Sequence, residues 1–339
     1  MHSIRSWLTL CLLCCSLCTC AAAPAQKDDA LKIRVAYYRS YDEEQVQLIK
    51  EGYEDLKERS AGKLKFVFFR NSKLGIEPDM TRHILSGEKI DAAMVQLNHL
   101  IQYDRRLNVL TAPYLFENYA IAHKAIDRYI IGWMNELLAP HNLLVLGAFD
   151  VGFRHVTNYG EEIESAAQIS GRPFRVPELP HIERTFKALG AKISILKIES
   201  YLRALRNNAF SLCEENTLPA INYYELYCFH NRLSLTQHIF DFQPFVINRQ
   251  FFMSLTEEQQ KVLIESVING QNKNRKLTEK NDKKVLSELK RHGMRITKPD
   301  LKTFISKMKP VYIKIDSIAG RGEMFKLQYQ ISKLHFGLQ

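Results

Sequence analysis

The fold class follows from a segment that reads Leu31-Lys-Ile-Arg-Val-Ala-Tyr37, continues through a helical stretch around Glu43–Glu58 and ends with Leu64-Lys-Phe-Val-Phe-Phe69. The two short runs are rich in β-branched and aromatic residues and predict strands, with a connecting helix between them. A helix across Thr81–Ser86, ending at a glycine, and a short buried strand at Ile90–Val95 continue the alternation. The sequence therefore predicts an α/β protein.

A second α/β region is expected further along the chain. Leu143–Phe149 predicts another buried strand, after which the chain turns polar at Arg154–Asn158, where we expect it to cross into this region. The region contains a predicted strand at Phe174–Val176, a helix at His181–Gly190 and a strand at Ile193–Leu196.

A second crossing and a long helix follow. The crossing is expected near Ser234–Asn248. Thr256-Glu-Glu-Gln259 is a capping box, in which the threonine hydroxyl accepts a hydrogen bond from the backbone and the glutamine reaches back. It predicts a helix that runs toward Arg291, and the polar stretch Gln271–Asn274 is a candidate position for a bend.

The N-terminal 25 residues have the order of a secretory signal. Arg5 precedes an apolar run from Trp7 to Leu17, and small residues follow from Ala21 to Ala25. Cleavage after Ala25 and lipid attachment at Cys20 both remain open. Removal of this leader from the 339 residues leaves 314, enough for about two domains.

Cysteine content and charge exclude several classes of protein. Five of the seven cysteines lie in the leader, so the remaining Cys213 and Cys228 cannot form a disulfide framework, although a single bridge between them stays open. The net charge of +10 could suggest nucleic acid, but the lysines alternate with glutamates on predicted helices and no nucleic-acid-binding motif is found. We expect no nucleic-acid partner.

Motifs of common enzymes are missing from the sequence. It contains no phosphate loop, dinucleotide glycine fingerprint, Gly-x-Ser-x-Gly elbow or His-Glu-x-x-His helix, and the eleven histidines lack metal-ligand spacing. We expect no metal, no cofactor and no catalytic activity. An exported enzyme that uses Glu214 and Glu215 remains an alternative.

Arg175 is the first candidate binding residue. It lies in Phe174-Arg-Val-Pro-Glu178, a predicted strand whose end is marked by proline, and open α/β sheets bind ligands outside the carboxyl ends of their strands. A planar guanidinium can hold both oxygens of a carboxylate at once. The alternative is an ion pair between Arg175 and a nearby glutamate.

The chain resembles the periplasmic substrate-binding subunit of tripartite ATP-independent transporters, the DctP-like family, from about Leu31 to about Tyr312. The resemblance rests on the order and spacing of Ser60-Ala-Gly-Lys-Leu64, Leu85-Ser-Gly-Glu-Lys-Ile-Asp91, Pro113-Tyr-Leu-Phe116, Gly152-Phe-Arg154, Gly171-Arg-Pro-Phe-Arg-Val-Pro177, Phe186-Lys-Ala-Leu-Gly-Ala191, Glu199-Ser-Tyr201, Glu215-Asn216 and Ser234-Leu-Thr236.

The resemblance implies a two-lobed periplasmic binding protein with hinged lobes, strands that cross between them and a long helix spanning both. The expected divisions are a signal peptide at 1–25, lobe I at 26–152 plus 242–272, lobe II with the spanning helix at 153–241 plus 273–310, and a C-terminal segment at 311–339 that packs back on lobe I.

The resemblance also implies site residues. Arg175 matches the family arginine that pairs with the substrate carboxylate, Arg154 matches a second basic contact, and Asn216 matches a polar contact. Glu215 and Phe174, in the same motifs, complete the predicted ligand-binding set. A salt bridge between the lobes is the alternative role for Arg154, and a helix N-cap is the alternative for Asn216.

The sequence departs from the family pattern just before Asn216. Asn208–Glu215 replaces a segment richer in glycine and aspartate, and Thr217 stands in place of a proline. Phe210, Leu212 and Cys213 would make the nearby cleft more apolar. A binding protein for an apolar or amphiphilic ligand such as a fatty acid therefore remains an alternative.

The resemblance implies an extracytoplasmic solute-binding protein that captures a small carboxylate-bearing ligand between the lobes and delivers it to a membrane permease. We expect a periplasmic monomer, with lipid anchoring through Cys20 open. A sensor-domain partner is a further alternative.

Overall fold

A computed structural model describes residues 30–37, 43–69, 77–207 and 212–335. The predicted leader with Cys20, and Phe210, lie outside the described residues.

Strands and helices alternate along the described chain, as the sequence predicts. The strands are β1 (Leu31–Tyr37), β2 (Leu64–Phe69), β3 (Ala92–Met94), β4 (Leu143–Asn158), β5 (Pro173–Val176), β6 (Lys192–Ile195), β7 (Glu214–Thr217), β8 (Arg232–Ser234), β9 (Phe240–Asn248) and β10 (Arg295–Thr297). The helices are α1 (Glu43–Arg59), α2 (Glu77–Ser86), α3 (Tyr119–Ala125), α4 (Ile131–Leu138), α5 (Pro180–Ala188), α6 (Ile198–Arg206), α7 (Leu218–Tyr223), α8 (Arg249–Ser254), α9 (Glu257–Arg291), α10 (Leu301–Ile305), α11 (Lys309–Ala319) and α12 (Glu323–His335).

The strands form a mixed sheet in the order β10-β8-β4-β9-β3-β1-β2, with β7 also paired to β4 and a separate parallel pair β5-β6. Strand β4 links two parts of this sheet. Its residues Leu143–Phe153 pair with β9, whereas Arg154–Thr157 pair with β7 and Val156–Asn158 with β8. The α/β class is thereby confirmed, and the architecture is two-lobed.

Strand β4 does not end where the sequence turns polar. It continues through Arg154 to Asn158, because the polar side chains find buried partners. The Arg154 guanidinium pairs with Glu215, and the Asn158 amide donates to the backbone oxygen of Glu161 at 2.7 Å. Strand β4 is therefore longer than the predicted Leu143–Phe149, and it enters the second part of the sheet over Arg154–Asn158.

Helix α9 begins with the predicted capping box. The backbone N–H of Gln259 donates to the Thr256 hydroxyl at 3.2 Å, and that of Thr256 donates to the Gln259 side chain at 3.0 Å. The helix then runs for 35 residues. This prediction is confirmed.

Polar side chains attach α9 to β4. The side-chain oxygens of Gln271 and Asn274 accept hydrogen bonds from the backbone N–H groups of Ala148, at 2.7 Å, and Asp150, at 2.6 Å. Both N–H groups lie beside register shifts in the β4–β9 ladder, where a bulge leaves backbone groups unpaired. The polar stretch therefore joins helix to sheet and does not interrupt the helix.

Within the described ranges, buried apolar residues form three clusters. The largest extends from β3 and β4 to α11 and α12, the second fills the space between β1, β2 and α9, and the third lies under α6, α7 and the last turns of α9. The C-terminal helices α11 and α12 contact residues Arg105–Thr111 and α3. The Tyr312 hydroxyl donates to the Pro113 carbonyl at 2.9 Å.

The two described cysteines, Cys213 and Cys228, are both free thiols. None of the described helices combines the length and the apolar content needed to cross a membrane.

Candidate functional site

A cavity of about 710 Å³ lies between the two parts of the structure. One wall comes from β1, β2, β3, α1 and α9, and the other from β5, α6 and β7, with β4 and β9 between them. Arg154, Arg175 and Asn216 line this cavity, whereas Glu215 and Phe174 do not. The structure therefore brings three of the five sequence-predicted residues to one surface.

Arg175 is held in a fixed orientation on β5. Its side chain is almost fully buried; Nε donates to the Leu196 carbonyl at 2.9 Å and Nη1 donates to Oε1 of Glu214 at 2.7 Å. Its guanidinium carbon lies 5.7 Å from the centre of the Tyr201 ring. A guanidinium has five N–H donors, and two are used here. Among the described residues Nη2 has no partner, so this end of the fork remains for a ligand in the cavity.

Glu214 controls the charge next to Arg175. Its carboxyl is fully buried; Oε1 also accepts from the Asn216 amide at 3.2 Å, and Oε2 has no partner among the described residues. Burial raises the pKa of Glu214 to about 8, although Arg175 opposes the shift, and the charge of Glu215 adds to it. The raised pKa of Glu214 favours its neutral form, which leaves more of the positive charge of Arg175 uncancelled.

Glu215 faces the opposite side of β7, because successive side chains of a strand alternate. Arg154 holds it with two hydrogen bonds, from Nε to Oε2 at 2.5 Å and from Nη2 to Oε1 at 2.8 Å. The Nε2 atom of His238 lies 3.1 Å from Oε2. Burial opposes ionisation of Glu215, but Arg154 and His238 outweigh it and lower the pKa to about 2. Glu215 is thus a buried anion held inside the protein.

Arg154 is shared between two carboxylates. Besides Glu215 it contacts Asp241 of β9, whose Oδ2 accepts from Nη1 at 2.7 Å. Asp241 is about one third exposed and lines the cavity. The ion-pair geometry considered as the alternative for Arg154 is therefore present, and it connects β4, β7 and β9. Asp241 was missed at the sequence level, although its place in the alternating Phe240-Asp-Phe242 run of a strand is a usable signal.

Asn216 is not the N-cap of the following helix. Thr217 occupies the N-cap position of α7, and the Asn216 side chain instead bonds to Glu214 and to the backbone N–H of Thr217. Because Glu214 and Asn216 lie two residues apart on β7, they share the face that borders Arg175.

Phe174 lies in the interior. It has no exposed surface, and its ring centre is 4.8 Å from that of Phe186. Burial at the base of β5 anchors the strand that carries Arg175, so we assign Phe174 no direct contact with a ligand in this cavity.

Buried histidines surround the site in neutral form. Burial lowers the pKa of His155 to about 3, of His181 to about 4 and of His230 to about 4. In the described ranges, no group of three or more His, Cys, Asp or Glu side chains is placed to hold a metal ion.

Two α/β lobes with a ligand-sized cavity between them define the class of bacterial solute-binding proteins. The chain belongs to the DctP family, bacterial extracellular solute-binding protein family 7, whose sequence profile matches residues 36–317. This confirms the resemblance read from the motifs. The chain is thus a solute-binding protein of the kind that serves tripartite ATP-independent periplasmic transporters, and the family consists of transport-binding proteins.

Relatives of known name are similar over most of their length. The chain is 29% identical to the 2,3-diketo-L-gulonate-binding periplasmic protein YiaO of Escherichia coli over 278 residues, covering 81% of this chain and 84% of the relative. It is 23% identical over 273 residues to the sialic acid-binding periplasmic protein SiaP of Vibrio cholerae, covering 80% and 84%.

Solved structures share the fold. A periplasmic solute-binding protein of this transporter type from Ochrobactrum anthropi, with its C-terminus bound in its ligand-binding pocket, superposes with a TM-score of 0.85 at 23% identity, covering 92% of this chain and 98% of that one. The sugar acid binding protein of Advenella mimigardefordensis in complex with galactonate gives 0.78 at 22% identity, covering 90% and 99%.

Proposed function

We propose that this chain binds a small carboxylate-bearing solute in the cavity between its lobes and delivers it to the membrane permease of a tripartite transporter. The observation that supports this most is Arg175, a buried guanidinium fixed by Leu196 and Glu214 that keeps free donors at the cavity wall. Galactonate, in the structure from Advenella mimigardefordensis, is a carboxylate of this general kind.

Ligand recognition is assigned to Arg175 and Asn216, and to Arg154 as a part of the cavity wall whose charge is balanced by Glu215 and Asp241. Glu215 acts indirectly, since it fixes Arg154. An enzyme that uses Glu214 and Glu215 is not favoured, because both carboxyls are fully buried and Glu215 is engaged by Arg154 and His238.

The two lobes that close on the ligand are assigned the boundaries expected from the sequence. Lobe I is 26–152 plus 242–272, lobe II is 153–241 plus 273–310, and 311–339 packs on lobe I. The pairing of β4 with β9 on one side and with β7 and β8 on the other supports this division. A ligand that touches both lobes stabilises the closed state by its differential affinity for that state. We further propose export through residues 1–25 and a periplasmic location, with Cys20 a candidate lipid attachment site.

Native mass spectrometry of the purified protein tests ligand capture. We expect an unmodified organic acid to be retained by the wild type and by Arg291→Ala, a control that removes an exposed arginine at the end of α9, and to be lost from Arg175→Ala. Small-angle scattering should show a more compact molecule when that acid is added back. Retention of the acid by Arg175→Ala, or its chemical conversion by the protein, would contradict the proposal.

A further inference from the structure

A group of five aromatic rings lines the cavity that Arg154 and Arg175 also line. Tyr37, Phe66, Phe68, Phe149 and Phe245, here called the aromatic wall, all line it, and neighbouring ring centres lie 5.5–6.4 Å apart. These rings come from four strands, β1, β2, β4 and β9. They form one continuous apolar surface.

The helices that face this wall contribute mostly apolar side chains or none to the cavity, and Ser266 and Asn274 of α9 add two polar groups. Leu48 and Ile49 from α1 and Val267 from α9 line the cavity, together with one glycine from each helix, Gly52 and Gly270. A Cβ added at Gly52 would meet no atom within 4 Å, so the space beside α1 is open. Glycine is a poor helix former, and at this position its absent side chain enlarges the cavity.

The ten residues named here carry no charge, and Tyr37 and the neighbouring Ser266 supply the side-chain hydroxyls of these two surfaces. A ligand with many hydroxyl groups would leave several of them buried against rings without hydrogen-bond partners, which is unfavourable. An aliphatic or aromatic body would instead gain from burial. The cavity volume of about 710 Å³ lies within the range of about 300–1,000 Å³ that is usual for drug-sized ligands.

We propose that the ligand is an amphiphilic carboxylate, with its carboxylate at Arg175 and an aliphatic or aromatic body against the aromatic wall. This inference rests on the proposed function, since it takes the carboxylate clamp as given. Phe66 and Phe68 of β2 and the open space at Gly52 of α1 favour an aliphatic or aromatic body over a polyhydroxylated one.

Calorimetric titration with a series of acids tests the inference. The protein is unfolded and refolded to remove any retained ligand and is titrated with hexanoate, octanoate, decanoate and gluconate. We expect affinity to increase about fourfold for each added methylene group, the value for a fully buried one, and gluconate to bind more weakly than hexanoate although both have six carbons.

Two glycine variants provide a matched comparison. Gly52→Leu fills the open space beside the aromatic wall. It should weaken the affinity for decanoate at least tenfold and change the affinity for hexanoate less than threefold. Gly132→Leu places the same side chain on the exposed face of α4, outside the cavity and again with no atom within 4 Å, and should change neither. Both changes improve helix propensity, so both variants should fold.

The outcomes separate this inference from the proposed function. If gluconate binds more tightly than hexanoate, and Arg175→Ala abolishes that binding, the carboxylate clamp stands and the amphiphilic ligand is wrong. If affinity does not change with chain length, or if Gly52→Leu has no effect on decanoate, the aromatic wall is not used. If octanol binds as tightly as octanoate, or no acid binds, both the inference and the proposed function fail.

Discussion

Replacing Arg175 by lysine should separate ligand binding from stability. Lysine keeps the positive charge but not the planar fork, so one of two charge-assisted hydrogen bonds to the ligand carboxylate is lost. This loss corresponds to roughly 1.5–3 kcal/mol, or about 10- to 150-fold in affinity. Arg175→Ala should bind the ligand more weakly still, because the ligand carboxylate would then be desolvated without a partner.

Arg175→Ala should reduce the stability of the fold only moderately. It removes the hydrogen bond to the Leu196 carbonyl and the contact with Glu214. Because the pKa of Glu214 already lies near 8, this carboxyl can remain protonated at pH 7 when Arg175 is absent, and no unpaired buried anion results. We expect the free energy of unfolding to fall by about 1–3 kcal/mol in Arg175→Ala, with the protein still folded.

Both quantities are measured on the same samples. Calorimetric titration at pH 7 with the acid that co-purifies gives affinity, and urea denaturation gives stability, with Arg291→Ala as the control for loss of an exposed arginine. Near-native affinity in Arg175→Ala would refute the carboxylate clamp. Lower stability with unchanged affinity in both variants would show that Arg175 serves only its hydrogen bonds to Leu196 and Glu214.

Four further predictions concern the surroundings of the site and the long helix. Affinity for a carboxylate should fall as pH rises above about 8, because ionised Glu214 then competes for Arg175, and Glu214→Gln should remove this dependence in a titration series. The pKa of Glu214 is raised from an ordinary value of 4.5, so its contribution to the free energy of unfolding is complete below pH 4.5 and is lost as pH rises toward 8. Urea denaturation of Glu214→Gln should not show this decline with pH. A decline as large as in the wild type would refute the raised pKa of Glu214. Gln271→Leu should cost about 1–3 kcal/mol in urea denaturation, because the buried N–H of Ala148 loses its acceptor, and a neutral result would contradict the role of this side chain at the β4 bulge. Thr256→Ala should cost about 1 kcal/mol by the same measurement and leave ligand affinity unchanged, whereas lost binding without lost stability would contradict a purely structural cap.

Local patterns in the sequence were sufficient for the elements, and motif resemblance for three cavity-lining residues, Arg154, Arg175 and Asn216. The alternation around β1, α1 and β2, the capping box at Thr256 and the proline that ends β5 depend on neighbours a few residues apart, and each was recognisable. The placement of Arg175 and Asn216 at the cavity was expected from motif resemblance. The continuation of β4 from Phe149 to Asn158 was not recognisable, because the partners that bury Arg154 and Asn158 are not visible in the local sequence.

What the sequence alone determined is the α/β class, the family and the position of Arg175 on its strand, since these follow from periodicity and from motifs of a few residues. Only the tertiary structure decided the electrostatics and the shape of the site. Glu214 is 39 residues from Arg175, and Asp241 is 87 residues from Arg154. The rings of the aromatic wall likewise come from four separate strands. A pKa and a cavity depend on which groups are buried together, and burial is a property of the packed chain that no local pattern encodes.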